Sequence, residues 1–339
     1  VLDLCTGWTD RAHTKPWTPE TLALSFSTTK GVASTVVHRL AERGELAYDE
    51  PVATYWPEFA AGGKGRVTVR DLLTHRVGFG DPEYLWRSSG LDFPAIVPRL
   101  RFVPPTTSFR SRFQYNNVTY ALAGDVAAYA SRKSWQELMR TWIYGPLGMT
   151  ESYADSRELV AAGVTDVVSP HGIIRDTVRV LPVPLNVIDG IPAAGSAFST
   201  ATDMGKWLRF LLDSGRVSGG GRRLVSAQNF AELFKPQQIL ARPFFPNATL
   251  LKPHFQAYGL GWLLQDYRGE FMALHTGSVE GRAAIIGLLP DRRVGVVVLT
   301  NLDRSELRHA LMYTVFDRYI GPQRPAHNWS VELRAMYKR

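Results

Sequence analysis

The sequence predicts a mixed α/β (α+β) fold in which an antiparallel sheet, built from both chain ends and flanked by helices, is interrupted by an inserted, mostly helical subdomain. Runs of alternating or β-branched apolar residues lie near the two ends of the chain, and apolar residues at helical spacing fill the middle. A sheet assembled from both ends gives the whole chain one core. We therefore expect residues 1–26 and 255–320 to form the sheet-containing part, residues 27–254 the helical part and residues 321–339 a C-terminal tail.

The first elements predicted along the chain are one strand and one helix. Residues 1–10 alternate apolar and polar side chains and turn at Gly7, which favours a short edge strand. Residues 28–43 carry apolar side chains at helical spacing and end at Gly44, a residue type that commonly follows a helix. Ser27 therefore lies at the start of a helix with one buried face.

The central part of the chain is expected to be helical. Helices are predicted over residues 120–130 and 135–143, and a third begins at Thr200. Thr200 and Asp203 form a pair like a capping box ahead of this third helix. Residues 163–194 combine short β-branched runs with prolines and are left unassigned.

The C-terminal third of the chain contains most of the strand patterns. Four β-type runs are found, over residues 258–264, 271–274, 283–289 and 295–299. A closing helix is predicted over residues 305–319, with an apolar face made of Leu307, Leu311, Val315 and Tyr319.

The composition is that of a globular protein and excludes several classes of partner. The chain has 339 residues, 45% of them hydrophobic, which suffices for a large core. Its formal net charge is +8, but the basic residues are scattered, so we do not expect nucleic acid as a partner. No apolar segment approaches the roughly 18 residues that a membrane span needs. The single cysteine, Cys5, excludes a disulfide framework and a cysteine-based zinc site.

The cellular compartment and the oligomeric state are left open by the sequence. The chain begins at Val1, without an initiator methionine and without a signal-peptide pattern. We therefore expect the natural N-terminus to precede Val1, so that secretion behind a signal peptide stays open.

One short motif points to nucleophilic catalysis. Ser27-Thr28-Thr29-Lys30 is an S-x-x-K sequence at the opening of a helix, where residues three apart share a face, so that the lysine amine can reach the serine hydroxyl. A serine hydroxyl becomes a good nucleophile when a neighbouring base removes its proton, and a lysine serves as that base if burial lowers its pKa. Taken alone, the pattern is also consistent with an N-capping serine and a surface lysine.

Two further motifs are chemically compatible with the first. Tyr115-Asn116-Asn117 precedes a helix and offers a phenol for proton transfer and an amide for substrate binding. His275-Thr276-Gly277 follows an apolar run, where a small residue lets a substrate approach a strand edge and the N–H of Ser278 is available to an oxyanion. Each motif alone is also typical of turn, packing or structural residues.

Together and in this order, the three motifs resemble those of the serine β-lactamase and penicillin-binding-protein superfamily, and within it the class C β-lactamase-like branch. That branch includes family VIII carboxylesterases, D-aminopeptidases and D-alanyl-D-alanine peptidases. The resemblance extends over about residues 1–320 and includes the segments F-S-T-T-K-G (26–31), L-L-T-H-R-V-G (72–78), P-L-G-M (146–149) and Y-G-L-G-W (258–262). It implies a β-lactamase/transpeptidase-like fold.

The resemblance implies a role for each motif residue. Ser27 is the expected acyl-forming nucleophile, and Lys30 and Tyr115 are the expected proton-transfer pair, with Tyr115 also assisting the deacylating water. Asn117 is expected to position the substrate. His275, Gly277 and Ser278 are expected at the strand edge, with the N–H groups of Ser27 and Ser278 stabilising the oxyanion. No metal or organic cofactor is expected.

Some site residues depart from the family pattern or lie beside it. His275 stands where dedicated β-lactamases carry a lysine, and a neutral imidazole holds a substrate carboxylate less firmly. Arg282 is a candidate to supply the missing charge, and His75 is expected to be a structural hydrogen-bonding residue. Four aromatic residues are candidates for an acyl pocket, each with a core role as the alternative: Trp86, Phe102, Phe113 and Trp262.

The sequence therefore predicts a serine hydrolase that acts through an acyl-enzyme on small esters or peptide-like amides. The alternatives are a β-lactamase with β-lactam hydrolysis as its main activity, and a catalytically silent family member that serves as a binding or scaffold protein. A small-molecule ester, amide or β-lactam is the expected partner.

Overall fold

The computed structural model describes residues 2–219, 221–303, 306–321 and 326–337. Its first two hundred or so residues are mostly helical. The longer helices are α1 (Thr29–Glu42), α6 (Asn117–Ser131) and α11 (Ala201–Leu212). Shorter helices between them are α2 (Val52–Tyr55), α3 (Val69–Leu73), α4 (Glu83–Arg87), α5 (Phe93–Ile96), α7 (Trp135–Leu138), α8 (Gly145–Leu147), α9 (Ser156–Ala161) and α10 (Pro192–Gly195).

The remainder contains the main sheet and four further helices. Six antiparallel strands, β5 (Gln238–Ile239), β6 (Gln256–Tyr258), β7 (Leu263–Tyr267), β8 (Glu270–Val279), β9 (Arg282–Leu289) and β10 (Val294–Thr300), lie in the order β10-β9-β8-β7-β6-β5. The helices are α12 (Ala227–Leu233), α13 (Ala248–Leu251), α14 (Leu307–Ile320) and α15 (Trp329–Tyr337). Two small ladders lie outside this sheet, β1 (Ala23–Leu24) with β4 (Phe198–Ser199) and β2 (His171–Ile174) with β3 (Thr177–Val180).

The mixed helix-and-sheet class and the antiparallel pairing are confirmed, but the expectation that both chain ends build the sheet is wrong. All six strands of the sheet lie between residues 238 and 300. The predicted strand over residues 1–10 does not form in its described part: Leu2 and Leu4 are exposed, Gly7 turns the chain, and only Trp8 makes a single bridge, to Pro16. An alternating pattern needs a neighbouring strand and a buried face, and this segment has neither.

The sheet is buried on both faces, which explains the uninterrupted apolar run in β9. Ile286 and Leu288 face the large core that contains α1 and α11, whereas Ile285 and Leu289 face a second core under α14 and α15. A strand covered on both sides loses the polar alternation of a half-exposed strand. The predicted tail contributes to this second core through α15, where Trp329 packs on Tyr313.

Helix positions follow the sequence well, with one error of orientation. α1, α6 and α11 lie within three residues of their predicted bounds, and the Thr200 hydroxyl accepts the N–H of Asp203 at 3.1 Å. The closing helix is present as α14, although its predicted first residue, Ser305, lies outside the described residues. Its predicted apolar face is wrong: Leu307 and Leu311 are exposed, and the buried residues are His309, Ala310, Met312, Tyr313 and Phe316.

Candidate active site

Ser27 lies in a tight turn that joins β1 to α1. The turn is a 3-10 segment, Phe26–Thr28, in which both the N–H and the hydroxyl of Thr28 donate to the carbonyl oxygen of Ser25, at 3.2 and 2.7 Å. Phe26 has φ +49°, a left-handed conformation that is uncommon for a residue other than glycine. Because the Phe26 side chain is buried, the surrounding fold holds this strained backbone in place and leaves Ser27 partly exposed at the start of the helix.

Lys30 lies one helical turn after Ser27 and is fully buried. Its Nζ lies 3.0 Å from Ser27 Oγ, 2.8 Å from Asn117 Oδ1 and 2.8 Å from the carbonyl oxygen of Ala194. Burial lowers the pKa of Lys30 well below its usual value, and the nearby Asp81 carboxylate opposes this shift only in part. The S-x-x-K spacing therefore brings together a hydroxyl and an amine that favours its neutral form.

The contacts of Lys30 direct its lone pair. A neutral amine has two N–H bonds and one lone pair, and the Asn117 and Ala194 oxygens are acceptors that take one N–H each. The lone pair then faces Ser27, whose O–H can donate to it. The geometry prepares Lys30 to remove the proton of Ser27.

Tyr115 contacts the same serine from the other side. Its hydroxyl donates to Ser27 Oγ at 2.9 Å, and the Lys30 Nζ lies 4.8 Å from the centre of its ring. Burial raises the pKa of Tyr115, so the phenol keeps its proton at neutral pH. Ser27 Oγ thus lies between a neutral amine and a neutral phenol.

His75 holds the loop that carries Tyr115. Its Nδ1 accepts the N–H of Asn116 at 3.1 Å, its carbonyl oxygen accepts the N–H of Gln114 at 2.8 Å, and its ring lies 4.4 Å from that of Tyr115, centre to centre. Burial, and after it the charge that Lys30 carries when protonated, lower the pKa of His75 well below its usual value. These contacts fit the predicted role of His75 as a structural hydrogen-bonding residue.

Asn117 joins Lys30 to a carboxylate that the sequence did not bring to attention. Its Nδ2 donates to Asp81 Oδ2 at 2.8 Å, while its Oδ1 accepts from Lys30. Asp81 lies three residues after the L-L-T-H-R-V-G segment, in an irregular stretch where periodicity carries no signal.

Strand β8 passes close to the nucleophile because residue 277 is glycine. A Cβ atom there would lie 2.5 Å from the Ser25 carbonyl oxygen, 2.6 Å from Phe26 Cβ and 2.9 Å from the backbone nitrogen of Ser27. Residues 275–279 extend beyond the pairing with β7, which leaves this edge of β8 open beside Ser27. The first and third motifs therefore lie next to each other, as predicted, with Gly277 against the turn that carries Ser27.

His275 is buried, and both of its ring nitrogens have protein partners. Nε2 lies 2.9 Å from the Tyr258 hydroxyl and Nδ1 lies 2.7 Å from the carbonyl oxygen of Thr276. Burial, and after it the charge that Lys30 carries when protonated, lower the pKa of His275 to about 3. The imidazole is therefore neutral, and neither nitrogen is available to a substrate carboxylate in this arrangement.

The structure corrects the role given to Arg282. This side chain is buried, and its Nε and Nη2 donate to the carbonyl oxygen of Val168 at 3.2 and 3.1 Å, not to a group of the site. The cation beside Ser278 is Arg308, whose Nη1 donates to Ser278 Oγ at 2.5 Å and to the Gly277 carbonyl oxygen at 2.7 Å. Sequence analysis missed Arg308 because the orientation predicted for its helix was wrong.

The four candidate aromatic residues have different surroundings. Trp262 belongs to the core, where its ring packs against Gly31 of α1 and would collide with a Cβ there. Phe102 is 72% exposed, and Trp86 is partly buried against the large core. Phe113 lies near Tyr115, with 6.4 Å between ring centres. Phe113 is thus the one of the four with a ring contact to a predicted catalytic residue.

Two negative observations concern the described residues only. Within those ranges, no group of three or more His, Cys, Asp or Glu side chains is arranged to hold a metal ion. No helix in the described part of the chain has the length and apolar character needed to cross a membrane.

Comparison with known proteins matches this chain to one family. The family model described as Beta-lactamase matches residues 1–316. The chain is 36% identical over 148 residues to the esterase/beta-lactamase LipL of Mycobacterium tuberculosis. The aligned segment covers 43% of this chain and 34% of LipL. It is 25% identical over 360 residues to the unguisins hydrolase ungD of Aspergillus violaceofuscus, which covers 97% of this chain and 63% of ungD. The chain thus spans about a third to two thirds of the length of these relatives.

Solved structures show the same fold. The octameric penicillin-binding protein homologue from Pyrococcus abyssi superimposes with a TM-score of 0.81 at 24% identity, covering 94% of this chain and 70% of that one. At this identity the likeness concerns the fold alone.

Proposed function

The chain belongs to the beta-lactamase family, and we propose that it is a serine hydrolase that cleaves small esters or peptide-like amides through an acyl-enzyme on Ser27. One observation carries the proposal: Ser27 Oγ lies 3.0 Å from the buried amine of Lys30 and 2.9 Å from the hydroxyl of Tyr115. Burying a lysine amine is costly to a fold, and the nearby Asp81 carboxylate offsets that cost only in part, so the position of this amine beside a hydroxyl supports a chemical role.

In the acylation step, Lys30 takes the proton of the Ser27 hydroxyl as Oγ attacks the substrate carbonyl carbon. The developing oxyanion accepts hydrogen bonds from the N–H groups of Ser27 and Ser278, and the close approach of β8 at Gly277 supports this pairing. Tyr115 passes a proton from Lys30 to the leaving alcohol or amine, because its hydroxyl contacts Oγ and stays protonated.

In the deacylation step, water attacks the acyl carbon from the open side of the site. Tyr115 and Lys30 accept the proton of that water and return it to Ser27 Oγ as the acid is released. Microscopic reversibility favours the same pair for both steps.

The proposed substrate class follows from the charges at the strand edge. Neutral His275 offers no cation in the position where a lysine would hold a carboxylate, so esters and amides without that group fit the site. The names of two relatives, an esterase/beta-lactamase and a hydrolase, support the same class. A panel of short-chain p-nitrophenyl esters, D-alanyl peptides and a chromogenic cephalosporin separates esterase, peptidase and β-lactamase activity.

The test of the nucleophile is covalent labelling. The wild-type protein treated with a serine-reactive phosphonate is expected to gain the mass of one adduct on the peptide that contains Ser27. The Ser27→Ala variant is expected to lose both the label and about 10⁴-fold or more of ester turnover. Undiminished labelling of this variant would overturn the proposal. No mass gain of the wild-type protein under saturating reagent would favour the silent scaffold.

A further inference from the structure

Asp81 is a half-buried carboxylate with an unusual set of contacts. Its Oδ2 accepts from Asn117 Nδ2 at 2.8 Å. Burial raises the pKa of Asp81, and the backbone N–H groups of Asn117 and Val118 at the N-terminus of α6, the Asn117 amide and the charge of Lys30 oppose that shift. Its Oδ1 is buried and contacts no protein donor within the described residues. Asp81 does not touch Ser27, and nothing in the mechanism above uses it.

The Asn117 amide has two orientations with opposite consequences for Lys30. With Oδ1 toward Lys30, the amide accepts an N–H and leaves the amine lone pair free for Ser27. With Nδ2 toward Lys30, the amide would donate to that lone pair and compete with the Ser27 hydroxyl. The contact with Lys30 alone does not determine which of these two orientations the amide adopts.

We propose that Asp81 is a positioning residue, which fixes the Asn117 amide and thereby aims the lone pair of Lys30 at Ser27. A carboxylate only accepts hydrogen bonds, so it pairs with Nδ2 and forces Oδ1 to face Lys30. The second acceptor of Lys30, the Ala194 carbonyl oxygen, belongs to the backbone and cannot reverse. This inference rests on the proposed function, because it assigns a part in the same reaction.

Among the described residues, Asp81 is also the one carboxylate that faces Lys30. The other titratable groups around the amine are Tyr115 and Tyr120, whose rings lie 4.8 and 5.3 Å from Nζ, and the neutral imidazoles of His75 and His275. The negative charge of Asp81 raises the pKa of Lys30 against the larger effect of burial. Removing this charge therefore lowers the Lys30 pKa further.

Two substitutions separate orientation from charge. Asp81→Ala removes the acceptor, so we expect kcat for p-nitrophenyl acetate to fall roughly 10- to 100-fold with KM changed far less, because the base is misaligned while the binding surface remains. Asp81→Asn keeps an acceptor oxygen without the charge. We expect it to retain more activity than Asp81→Ala and to shift the acid limb of the kcat/KM profile to lower pH.

The matched control is Asp92→Asn, which alters another aspartate of the same loop region. Asp92 caps the short helix α5 by accepting the N–H of Ala95 at 3.0 Å and lies outside the site. A merely structural role for Asp81 would lower the thermal midpoint without moving the acid limb, as the control would. An unmoved acid limb in Asp81→Asn, or full kcat in Asp81→Ala, overturns the inference.

Labelling keeps this result separate from the proposed function. If wild-type Ser27 is labelled by the phosphonate and the Asp81 variants behave like the wild type, only the role of Asp81 fails. If wild-type Ser27 is not labelled, the proposed function fails with it.

Discussion

The Tyr258 hydroxyl lies 2.9 Å from Nε2 of His275, at a place where the imidazole has its other nitrogen 2.7 Å from the Thr276 carbonyl oxygen. A carbonyl oxygen only accepts, so the neutral ring carries its proton on Nδ1 and accepts the Tyr258 proton at Nε2. Where a lysine would place a positive charge at the strand edge, this protein has a neutral imidazole whose two nitrogens are hydrogen-bonded within the protein. The third motif thus differs in charge from a lysine-containing one.

The first prediction concerns the protonation of His275. Because burial lowers its pKa to about 3, the imidazole should keep the Nδ1–H tautomer from pH 8 down to about pH 4. ¹⁵N NMR of histidine-labelled protein, assigned with a His275→Gln variant, measures this directly. A titration midpoint near pH 6.5 would contradict it.

The second prediction concerns Gly277→Ala. The added Cβ would lie within 3 Å of backbone atoms of Ser25 and Ser27, so β8 must move away from the nucleophile. We expect kcat/KM for a neutral ester to fall about 100-fold, because displacements of this size misalign reacting groups. Steady-state kinetics with the purified variant gives the value.

Gly65→Ala is the matched control for this substitution. A Cβ there would lie 3.6 Å from Ala60 Cβ and 4.0 Å from Ala60 Cα, which is ordinary contact. We expect wild-type kinetics from it. Equal activity of the two variants would show that the close approach at Gly277 has no catalytic consequence.

The third prediction assigns substrate charge preference to Arg308. Its guanidinium donates to Ser278 Oγ and to the Gly277 carbonyl oxygen, and Ser278 is exposed, so Arg308 places a cation at the strand edge. Arg308→Gln should raise KM about tenfold, or about 1.4 kcal/mol, for an ester that carries a carboxylate, and leave a neutral acetate ester nearly unchanged.

Arg282→Gln serves as the comparison, because Arg282 donates to the Val168 carbonyl oxygen inside the protein. We expect this variant to lose thermal stability without altering the ratio of KM for the charged and neutral esters. A changed ratio in Arg282→Gln, with none in Arg308→Gln, would restore the role first given to Arg282.

Local sequence patterns predict the contacts between residues that are close in sequence, but not the contacts between separate elements. The spacing of Ser27 and Lys30 sets their contact within one helical turn, and the apolar run of β9 reports a strand buried on both faces. Such features depend on neighbours in sequence. The positions of Arg308 and Asp81 depend on how separate elements pack, for which a single sequence carries no periodic signal.

The same reason explains the two errors in the fold. The alternation of residues 1–10 fits a strand, but a strand requires a continuous partner edge, and the described part of this segment makes only the single bridge from Trp8 to Pro16. In α14, apolar residues lie on two faces. The face with Met312 and Phe316 packs in the protein interior, whereas Leu307 and Leu311 are exposed. Both outcomes were decided by tertiary packing.

The fourth prediction concerns acid stability and His309, a buried residue of α14. Neither of its ring nitrogens has a protein partner within the described residues, and burial lowers its pKa to about 3. Above about pH 6.5, the folded and unfolded states both hold a neutral ring. Below that pH, the unfolded state takes up a proton that the folded state does not, so the free energy of unfolding falls by about 1.4 kcal/mol per pH unit until about pH 3.

His309→Phe removes this titration and keeps an aromatic ring against Phe245 and Tyr313. We expect the variant to be at least as stable as the wild type at pH 8, because no protein hydrogen bond is lost. Below about pH 6.5, its free energy of unfolding should exceed that of the wild type by an amount that grows as the pH falls. The variant should still lose some stability in acid, because burial also lowers the pKa values of His38 and His275 to about 3. Urea unfolding at pH 8, 6, 5 and 4 measures the difference, and parallel curves for the two proteins over this range would show that His309 takes up its proton equally in both states.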